Sequence, residues 1–129
     1  MSIRSYTRQD CPVAHTLSVV GDQWTLLIIR DVLSGPKRFD ELQRELGISR
    51  NLLAKRLKRM VEGDLLARRS IPNSRRFAYS LTPKALELRP TILALAEWGQ
   101  KWREPADGAN VEITEKETGE TVGLRYCRL

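Results

Sequence analysis

Apolar residues recur at helical spacing in the first third of the chain and predict two short helices. The first is expected from Pro12 to Val20, because proline suits a first helical position and Gly21 ends the run. The second is expected from about Asp22, a good N-cap residue, to a break at residues 34–36. The apolar positions that set the two helices are Val13, Leu17, Val20, Trp24, Leu27, Ile28 and Val32.

Residues 39–46 and 50–62 form the most informative pair of expected helices. The first helix has an apolar face formed by Phe39, Leu42 and Leu46. Gly47 then breaks the helix, and Ser49 is a natural N-cap for the second one. Two short helices joined by a tight turn with glycine at the bend are typical of a helix-turn-helix, although another helical hairpin could show the same pattern.

The helix over residues 50–62 has two very different faces. At about 100° per residue, its apolar face is formed by Leu53, Leu57, Met60 and Val61. The opposite face carries Asn51, Lys55 and Lys58, flanked by Ala54 and Arg59. Such side chains suit the major groove, where amides pair with adenine, cations with guanine or phosphate, and a small residue meets a thymine methyl. A merely solvated face is the alternative, but solvated faces usually mix signs, and this one carries only Glu62 at its far end.

A basic β-hairpin is expected directly after this helix. Residues 65–70 and 76–81 are strand-like, and residues 72–74 between them have turn chemistry. Alternation in the second strand is shown by Phe77, Tyr79 and Leu81. Arg75 and Arg76 at the tip would reach phosphates or a minor groove. This hairpin is interpreted as a wing, with an unrelated surface hairpin as the alternative.

The chain then returns to helix. Thr82 and Pro83 are typical of an N-cap and first helical position, and Pro90 interrupts this helix or starts a second segment that runs to Trp102. A long apolar stripe is formed by Leu88, Ile92, Leu95, Gly99 and Trp102. One small winged domain lacks the core to cover it, so we expect a dimer surface formed by Leu88, Ile92, Leu95 and Trp102. Packing within one chain remains the alternative.

The C-terminal segment has strand-like residues on either side of a turn-like stretch, residues 116–120, and predicts a β-hairpin. We therefore expect residues 1–106 to be a winged helix-turn-helix DNA-binding and dimerisation domain and residues 107–129 to be a hairpin appendage. The expected fold class is mainly α with a small β-hairpin wing (α+β), with terminal dimerisation helices.

The charge distribution supports a nucleic-acid partner. The chain has 129 residues and a net charge of +6. Residues 36–76 alone carry twelve Lys or Arg against five Asp or Glu, whereas residues 104–129 are acidic. A concentrated basic excess is expected of a surface that binds a polyanion. The predicted DNA-contacting residues are Arg38, Ser49, Arg50, Asn51, Ala54, Lys55, Lys58, Arg59, Arg75 and Arg76.

Other chemistry is poorly supported. One histidine, His15, and two distant cysteines, Cys11 and Cys127, offer neither a catalytic pair nor a metal site, so we expect no enzyme, no cofactor and no metal. No apolar run approaches the roughly 20 residues of a membrane span. The first residues have no signal-peptide character, and we expect a cytoplasmic protein with no membrane partner.

Several stretches of the chain carry a family resemblance, namely Cys11–Val13, Gly21–Arg30, Arg38–Leu42, Gly47–Ser49 with Leu53, Arg56 and Leu57, and Tyr79–Thr82. Together they resemble the HxlR-type regulators, a branch of the MarR-like winged-helix transcription factors. The resemblance implies a homodimer that binds palindromic double-stranded operators, often as a repressor. Departures from the family pattern are Asp22-Gln23 in place of Gly-Lys, Ala85 in place of Gly, and Thr118 where longer members with a zinc ribbon have cysteine. No zinc is therefore carried over.

The resemblance also suggests a sensor, because some members use an N-terminal cysteine to sense oxidants. Cys11 precedes Pro12 and so lies at a helix N-terminus, where the helix dipole favours thiolate, and Arg8 and His15 are near it in sequence. Cys127 would act as a resolving partner only if the tail folds back. A purely structural cysteine, and a small-molecule effector bound near the terminal helices, remain alternatives.

The leading hypothesis is thus a dimeric, sequence-specific DNA-binding regulator that responds to a small-molecule or redox signal. A winged-helix scaffold for dimerisation or protein interaction is the alternative. A scaffold needs neither the Asn/Lys face nor the arginine-tipped wing, and affinity for duplex DNA against salt separates the two.

Overall fold

The computed structural model describes residues 11–104, 113–125 and 127–128 and confirms the expected α+β fold there. The helices are α1 (Pro12–Val20), α2 (Thr25–Val32), α3 (Phe39–Leu46), α4 (Arg50–Glu62), α5 (Pro83–Leu86) and α6 (Arg89–Trp102). The strands are β1 (Lys37–Arg38), β2 (Leu66–Ser70) and β3 (Phe77–Leu81). The chain forms two compact units, Met1–Ala85 and Leu86–Leu129. The predicted boundary between residues 106 and 107 lies outside the described residues and stays a prediction.

The start of α2 differs from the sequence-based expectation. The helix begins at Thr25, after a turn that contains Asp22. The Asp22 carboxylate accepts hydrogen bonds from the backbone N–H groups of Trp24 and Thr25, both at 3.0 Å. Asp22 therefore satisfies N–H groups at the helix start, as expected of a capping residue, but does so from the preceding turn.

Buried apolar side chains from helices α1 to α5, from strand β2 and from the connecting segments form the core of the first unit. Its largest fully buried apolar side chains are Ile28 and Ile29 of α2, Leu42 of α3, Leu53, Leu57 and Met60 of α4, and Leu66 of β2. Together they fix the inward face of α4, because a helix that buries one stripe must present the opposite stripe to solvent.

The sheet contains one strand that the sequence did not reveal. The strands are antiparallel in the order β1-β3-β2. The pairing of β2 with β3 is the expected hairpin, whose register runs from Leu66 opposite Leu81 to Ser70 opposite Phe77. The additional strand, β1, places Arg38 opposite Ala78 of β3. It thus joins the segment before α3 to the wing.

In the second unit, α6 begins at Arg89 and carries Pro90 in its first turn, as expected of the second segment. The described part of the tail forms a short hairpin in which Thr114 and Thr121 make an antiparallel bridge. The backbone N–H of Leu124 donates to Glu97 Oε1 of α6 at 2.9 Å. This hydrogen bond holds the end of the hairpin against the helix. The outer parts of the two expected tail strands, residues 111–112 and 126, lie outside the described residues.

Candidate nucleic-acid interface

The helix α4 has the two faces that its sequence predicts. Leu53, Leu57 and Met60 are at most 2% exposed. The opposite side presents exposed Asn51, Ala54, Lys55 and Lys58 to solvent. No acidic side chain lies among these four, so the outward face combines an amide, a methyl group and two cations. This combination can read base edges in a major groove and neutralise the backbone phosphates beside it.

The turn between α3 and α4 is closed by two features of the sequence. Gly47 ends α3 with φ of 65°, a left-handed conformation that favours glycine. Ser49 caps α4, because its hydroxyl oxygen accepts a hydrogen bond from the backbone N–H of Leu52 at 3.3 Å. Ser49 is also exposed, so the structure places it at the solvent-facing start of the helix.

Arg38 lies at the N-cap of α3, and an acidic side chain already engages it. Its Nε donates to Glu41 Oε1 at 3.0 Å, and its backbone N–H donates to the same oxygen at 3.1 Å. The hydrogen bond from the Arg38 side chain, followed by that from its backbone, lowers the pKa of Glu41. A phosphate that approaches Arg38 would therefore meet a guanidinium whose charge is partly offset.

The guanidinium of Arg50, the first residue of α4, lies 5.0 Å from the ring centroid of Phe39 at the start of α3. This cation–π contact is within the usual range and links the beginnings of the two helices. Arg50 is exposed, so the contact leaves part of its surface open to solvent.

Two other arginines of α4 tie this helix to the segment around α1 and α2. Nη2 of Arg59 donates to the backbone carbonyl oxygen of Ser18 at 3.1 Å. Nε of Arg56 lies 3.4 Å from Asp22 Oδ2, within ion-pair range, although this buried atom makes no hydrogen bond. The predicted DNA contact of Arg59 stays a prediction, and the structure adds a second partner for its side chain.

Burial alone would raise the pKa of Asp22. Hydrogen bonds from the Thr25 hydroxyl and from the backbone N–H groups of Trp24 and Thr25, together with the positive charge of Arg56, outweigh it and lower that pKa. Asp22 is thus held as a carboxylate, and its negative charge is available to Arg56.

The wing carries more cations than the sequence analysis assigned to DNA. Arg75 and Arg76 are exposed at the hairpin turn, as expected. Arg68 and Arg69 of β2 are also exposed, and the Arg68 guanidinium lies 3.8 Å from the ring centroid of Phe77. Their position after a helix-turn-helix could have indicated them, but the strand pattern alone does not separate solvated arginines from DNA-facing ones.

A groove of about 320 Å³ lies where the wing meets the start of α3. Its basic side chains are Arg38, Arg68 and Arg76, and its other lining residues are Phe39, Asp40, Phe77 and Tyr79. Glu41 already engages Arg38, and Asp40 is the carboxylate among the lining residues, so Arg68 and Arg76 supply most of the positive charge that suits an anion such as a backbone phosphate.

The expected dimer residues divide into two groups. Leu88 and Ile92 are half-buried, whereas Leu95 and Trp102 are 52% and 67% exposed. Trp98 of the same helix, which was not among the expected dimer residues, is 69% exposed. Leu95, Trp98 and Trp102 follow each other at helical spacing and form the exposed stripe of α6.

Further exposed apolar side chains lie on α1, where Val13 and Leu17 are 68% and 49% exposed. Cys11 precedes this helix as its N-cap residue and is partly buried. Its backbone carbonyl oxygen accepts the N–H of His15 at 2.9 Å, and Cys127 is exposed. Arg8, the expected neighbour of Cys11, lies outside the described residues.

No cluster of three or more metal-ligating side chains occurs among the residues that the structure describes. Within the same ranges, no helix has both the length and the apolar character that a bilayer crossing requires.

Sequence comparison identifies the same elements in known proteins. The model of a family described as HxlR-like helix-turn-helix matches residues 19–107, which contain α2 to α6 and the wing. The uncharacterized HTH-type transcriptional regulator Rv3095 of Mycobacterium tuberculosis is 36% identical over 111 residues, which are 84% of this chain and 69% of the relative.

Structural comparison agrees. The crystal structure of PA1607, a proposed transcription factor, matches with a TM-score of 0.85 and 34% identity over 97% of this chain and 88% of that one. The redox regulator HypR in its reduced form matches with a TM-score of 0.65 and 29% identity over 70% of this chain and 91% of that one. Both likenesses extend to sequence as well as fold.

Proposed function

Because the chain belongs to the HxlR-like helix-turn-helix family of transcriptional regulators, we propose that it is a repressor that binds a palindromic operator as a homodimer. The observation that carries this proposal is the outward face of α4, where Asn51, Lys55 and Lys58 are exposed opposite a fully buried stripe. In this proposal α4 enters the major groove and is the recognition helix.

The wing supplies the second contact. Arg75 and Arg76 at its turn bind the backbone or the minor groove beside the half-site, and Arg68 and Arg38 line the groove that receives a phosphate. Contacts with the phosphate backbone carry no sequence information. They set the position and orientation of α4, whose Asn51 then reads the bases.

A second copy of the chain covers the exposed stripe of α6 in this proposal. Large exposed apolar side chains on a small protein mark an interaction site, and Trp98 and Trp102 are the largest here. A two-fold dimer presents two recognition helices to two half-sites that lie one or two helical turns apart, about 34 Å or a multiple of it. A palindromic operator matches this symmetry.

The signal that controls binding is a redox change at Cys11 or a small molecule. HypR is described as a redox regulator and is similar to this chain. Cys11 lies at the N-terminus of α1, beside the exposed Val13 and Leu17, so its oxidation would change the end of a helix that carries apolar surface. A regulator of this kind acts in the compartment that holds its operator DNA, so we infer a cytoplasmic protein.

The direct test is operator selection from random duplexes, followed by affinity measurements against salt. A palindromic selected sequence and a steep fall of affinity with salt would support the proposal. If no duplex is preferred, and if the weak binding does not change with salt concentration, the winged-helix scaffold would be favoured instead.

The redox component has a separate test. Operator affinity is measured before and after diamide treatment in the wild type and in Cys11→Ser, with Cys127→Ser as the matched thiol control. If diamide lowers the operator affinity of the wild type and of Cys127→Ser but not that of Cys11→Ser, the sensor is Cys11. Unchanged affinity of the treated wild type would leave DNA binding intact and remove the redox component.

A further inference from the structure

The turn between α1 and α2 holds a carboxylate in a fixed direction. Gly21 ends α1, and a side chain at this position would clash with the backbone carbonyl oxygen of Leu17. Asp22 follows, and its Oδ2 accepts the backbone N–H groups of Trp24 and Thr25, while its Oδ1 accepts the Thr25 hydroxyl. Because Thr25 is itself buried, these hydrogen bonds anchor the Asp22 carboxylate to the start of α2.

This carboxylate faces a partly buried cation of α4. Nε of Arg56 lies 3.4 Å from Asp22 Oδ2, and the side chains of Arg56 and Asp22 are 18% and 21% exposed. The Arg56 Nε atom is buried and has no hydrogen-bond partner among the described residues. A partly buried guanidinium that loses its opposing charge is costly. A movement of α4 that separates Arg56 from Asp22 is therefore opposed electrostatically.

A second arginine on the same flank of α4 reaches the same segment of the chain. Arg59 lies three residues after Arg56, so the two side chains are neighbours on the helix surface. Nη2 of Arg59 donates to the carbonyl oxygen of Ser18, near the end of α1, at 3.1 Å. Polar contacts at Ser18 and Asp22 thus join α4 to α1 and to the turn that follows it.

These contacts can set the rotation of α4 about its own axis. The hydrophobic effect that buries Leu53, Leu57 and Met60 is non-directional, whereas a charge pair with an anchored carboxylate depends on where the cation lies. A helix with its side chains is about 10–12 Å across, so a rotation of about 10° moves a side-chain end by about 1 Å. Recognition needs side chains held within about 0.5 Å. Such a rotation is therefore enough to misalign Asn51 with a base edge.

We propose that Asp22 is a positioning residue for operator recognition, because its carboxylate sets, through Arg56, the rotation of α4 at which Asn51 meets its base pair. This role rests on the proposed function of α4. Asp22 stands where the family pattern has glycine, which has no side chain to oppose Arg56. The pairing is therefore a feature that this chain adds to that pattern.

The first experiment measures base discrimination, which is the ratio of the affinities for the selected operator and for its variant at the base pair that Asn51 reads. Asp22→Asn keeps a capping oxygen for α2 but removes the charge, and it should reduce this ratio by about fivefold or more. The slope of log affinity against log salt should stay as in the wild type, because no phosphate contact is removed. An unchanged ratio, with equal loss of affinity for all duplexes, would overturn the proposal.

Further variants test whether Asp22 acts through Arg56. Arg56→Met should reduce base discrimination as Asp22→Asn does, and Arg56→Lys should retain part of it. The double variant Asp22→Asn/Arg56→Met should lose no more than either single variant, since both remove the same interaction. In an Asn51→Ala background, Asp22→Asn should leave the ratio unchanged, because the side chain that reads the base is absent. Additive losses, or a further loss in that background, would overturn the assignment.

Ile28→Val is the control for stability. It removes one methyl group from a fully buried side chain of α2 and leaves the charges of Asp22 and Arg56 in place. Urea unfolding establishes that every variant is folded under the conditions of the DNA measurements. Ile28→Val should lower the free energy of unfolding and keep the base discrimination of the wild type. An equal loss of discrimination in Ile28→Val and Asp22→Asn would identify general destabilisation as the cause and overturn the positioning role.

The second experiment needs no DNA. Residual dipolar couplings of the backbone amides report the orientation of α4 relative to α2 and α3 in the free protein. Asp22→Asn and Arg56→Met should change the couplings of α4, whereas Ile28→Val should retain those of the wild type. Unchanged α4 couplings in both variants would overturn the positioning role. Changed couplings in a protein that selects no duplex would support the fixing of α4 by Asp22 and overturn the proposed DNA function.

Discussion

Individual side chains of α4 have separable tasks in the proposed interface. Asn51 presents both a donor and an acceptor and can read one base pair, whereas Lys58 carries a charge that any phosphate satisfies. Both are exposed on a helix whose other face is buried. Their substitution should therefore change DNA binding with little effect on the fold.

Asn51→Ala should relax sequence preference at one base pair of each half-site, at a cost of about 1–3 kcal/mol there. Lys58→Ala should weaken all duplexes about equally and reduce the slope of log affinity against log salt by about 0.9 per half-site. Both effects are measured by titrating the selected operator and its single-base variants at several salt concentrations. If the two variants bind like the wild type, α4 does not face the groove.

Asp22 has a different role, which is to hold α4 in position through Arg56 and not to contact DNA. Its carboxylate caps α2 and lies 3.4 Å from Arg56 of α4. Its lowered pKa means that the folded state favours the carboxylate more than the unfolded state does. This stabilisation is present above the ordinary carboxyl pKa of about 4 and is lost as pH falls through the lower, folded-state pKa.

Asp22→Asn should lower the free energy of unfolding by about 1–2 kcal/mol at neutral pH, since it removes a charged cap and the partner of Arg56. The difference from the wild type should shrink as pH falls below about 4. Urea unfolding at several pH values measures it, with Glu62→Gln as a control for an exposed carboxylate. A difference that does not vary with pH would contradict the role of the Asp22 charge.

At the scale of elements, local signals explain which parts of the fold the sequence predicts. The expected bounds of α3 and α4 agree with the structure because Gly47 and Ser49 mark a helix end and a cap by themselves. The two-residue strand β1 has no period and depends on pairing with β3, about 40 positions later. The start of α2 was misplaced because Asp22 can bond N–H groups from inside a turn as well as from the N-cap position.

The candidate interface was likewise predicted where local sequence signals determine it and missed where tertiary contacts determine it. The faces of α4 follow from helical periodicity, so its exposed residues were predicted. The hydrogen bond of Arg59 to Ser18 and the stacking of Arg68 on Phe77 depend on tertiary distances, which periodicity does not give. Trp98 was missed because the stripe was traced from Leu95 through Gly99 to Trp102, although Trp98 also has the spacing to belong to it.

The wing should act as a sequence-independent clamp. Arg75→Ala/Arg76→Ala should reduce the salt slope by about two units for each wing that binds DNA and leave base preference unchanged, because both arginines are exposed at the turn. Lys116→Ala/Arg125→Ala removes the same charge from the tail hairpin and serves as the control. Equal slopes for the two double variants would exclude a specific contribution of the wing.

At the scale of the whole molecule, the proposed dimer depends on the exposed stripe of α6. Trp98→Glu should shift the protein towards monomer, since burying a charge against a second copy is unfavourable, and should reduce operator affinity without lowering the monomer's stability. Sedimentation at several protein concentrations measures the change, with Arg89→Glu on the same helix as the control. A wild type that remains monomeric at tens of micromolar and binds a single half-site would contradict the dimer.

The strand order β1-β3-β2 leaves β2 at one edge of the sheet. A five-residue edge strand offers unpaired backbone groups to another chain, which is a common route to aggregation. Exposed Arg68 and Arg69 lie on that strand, and their like charges oppose the approach of the same strand from a second molecule. Neutralising them should therefore lower solubility as well as DNA affinity, and solubility would have to be measured before weaker binding could be attributed to lost phosphate contacts.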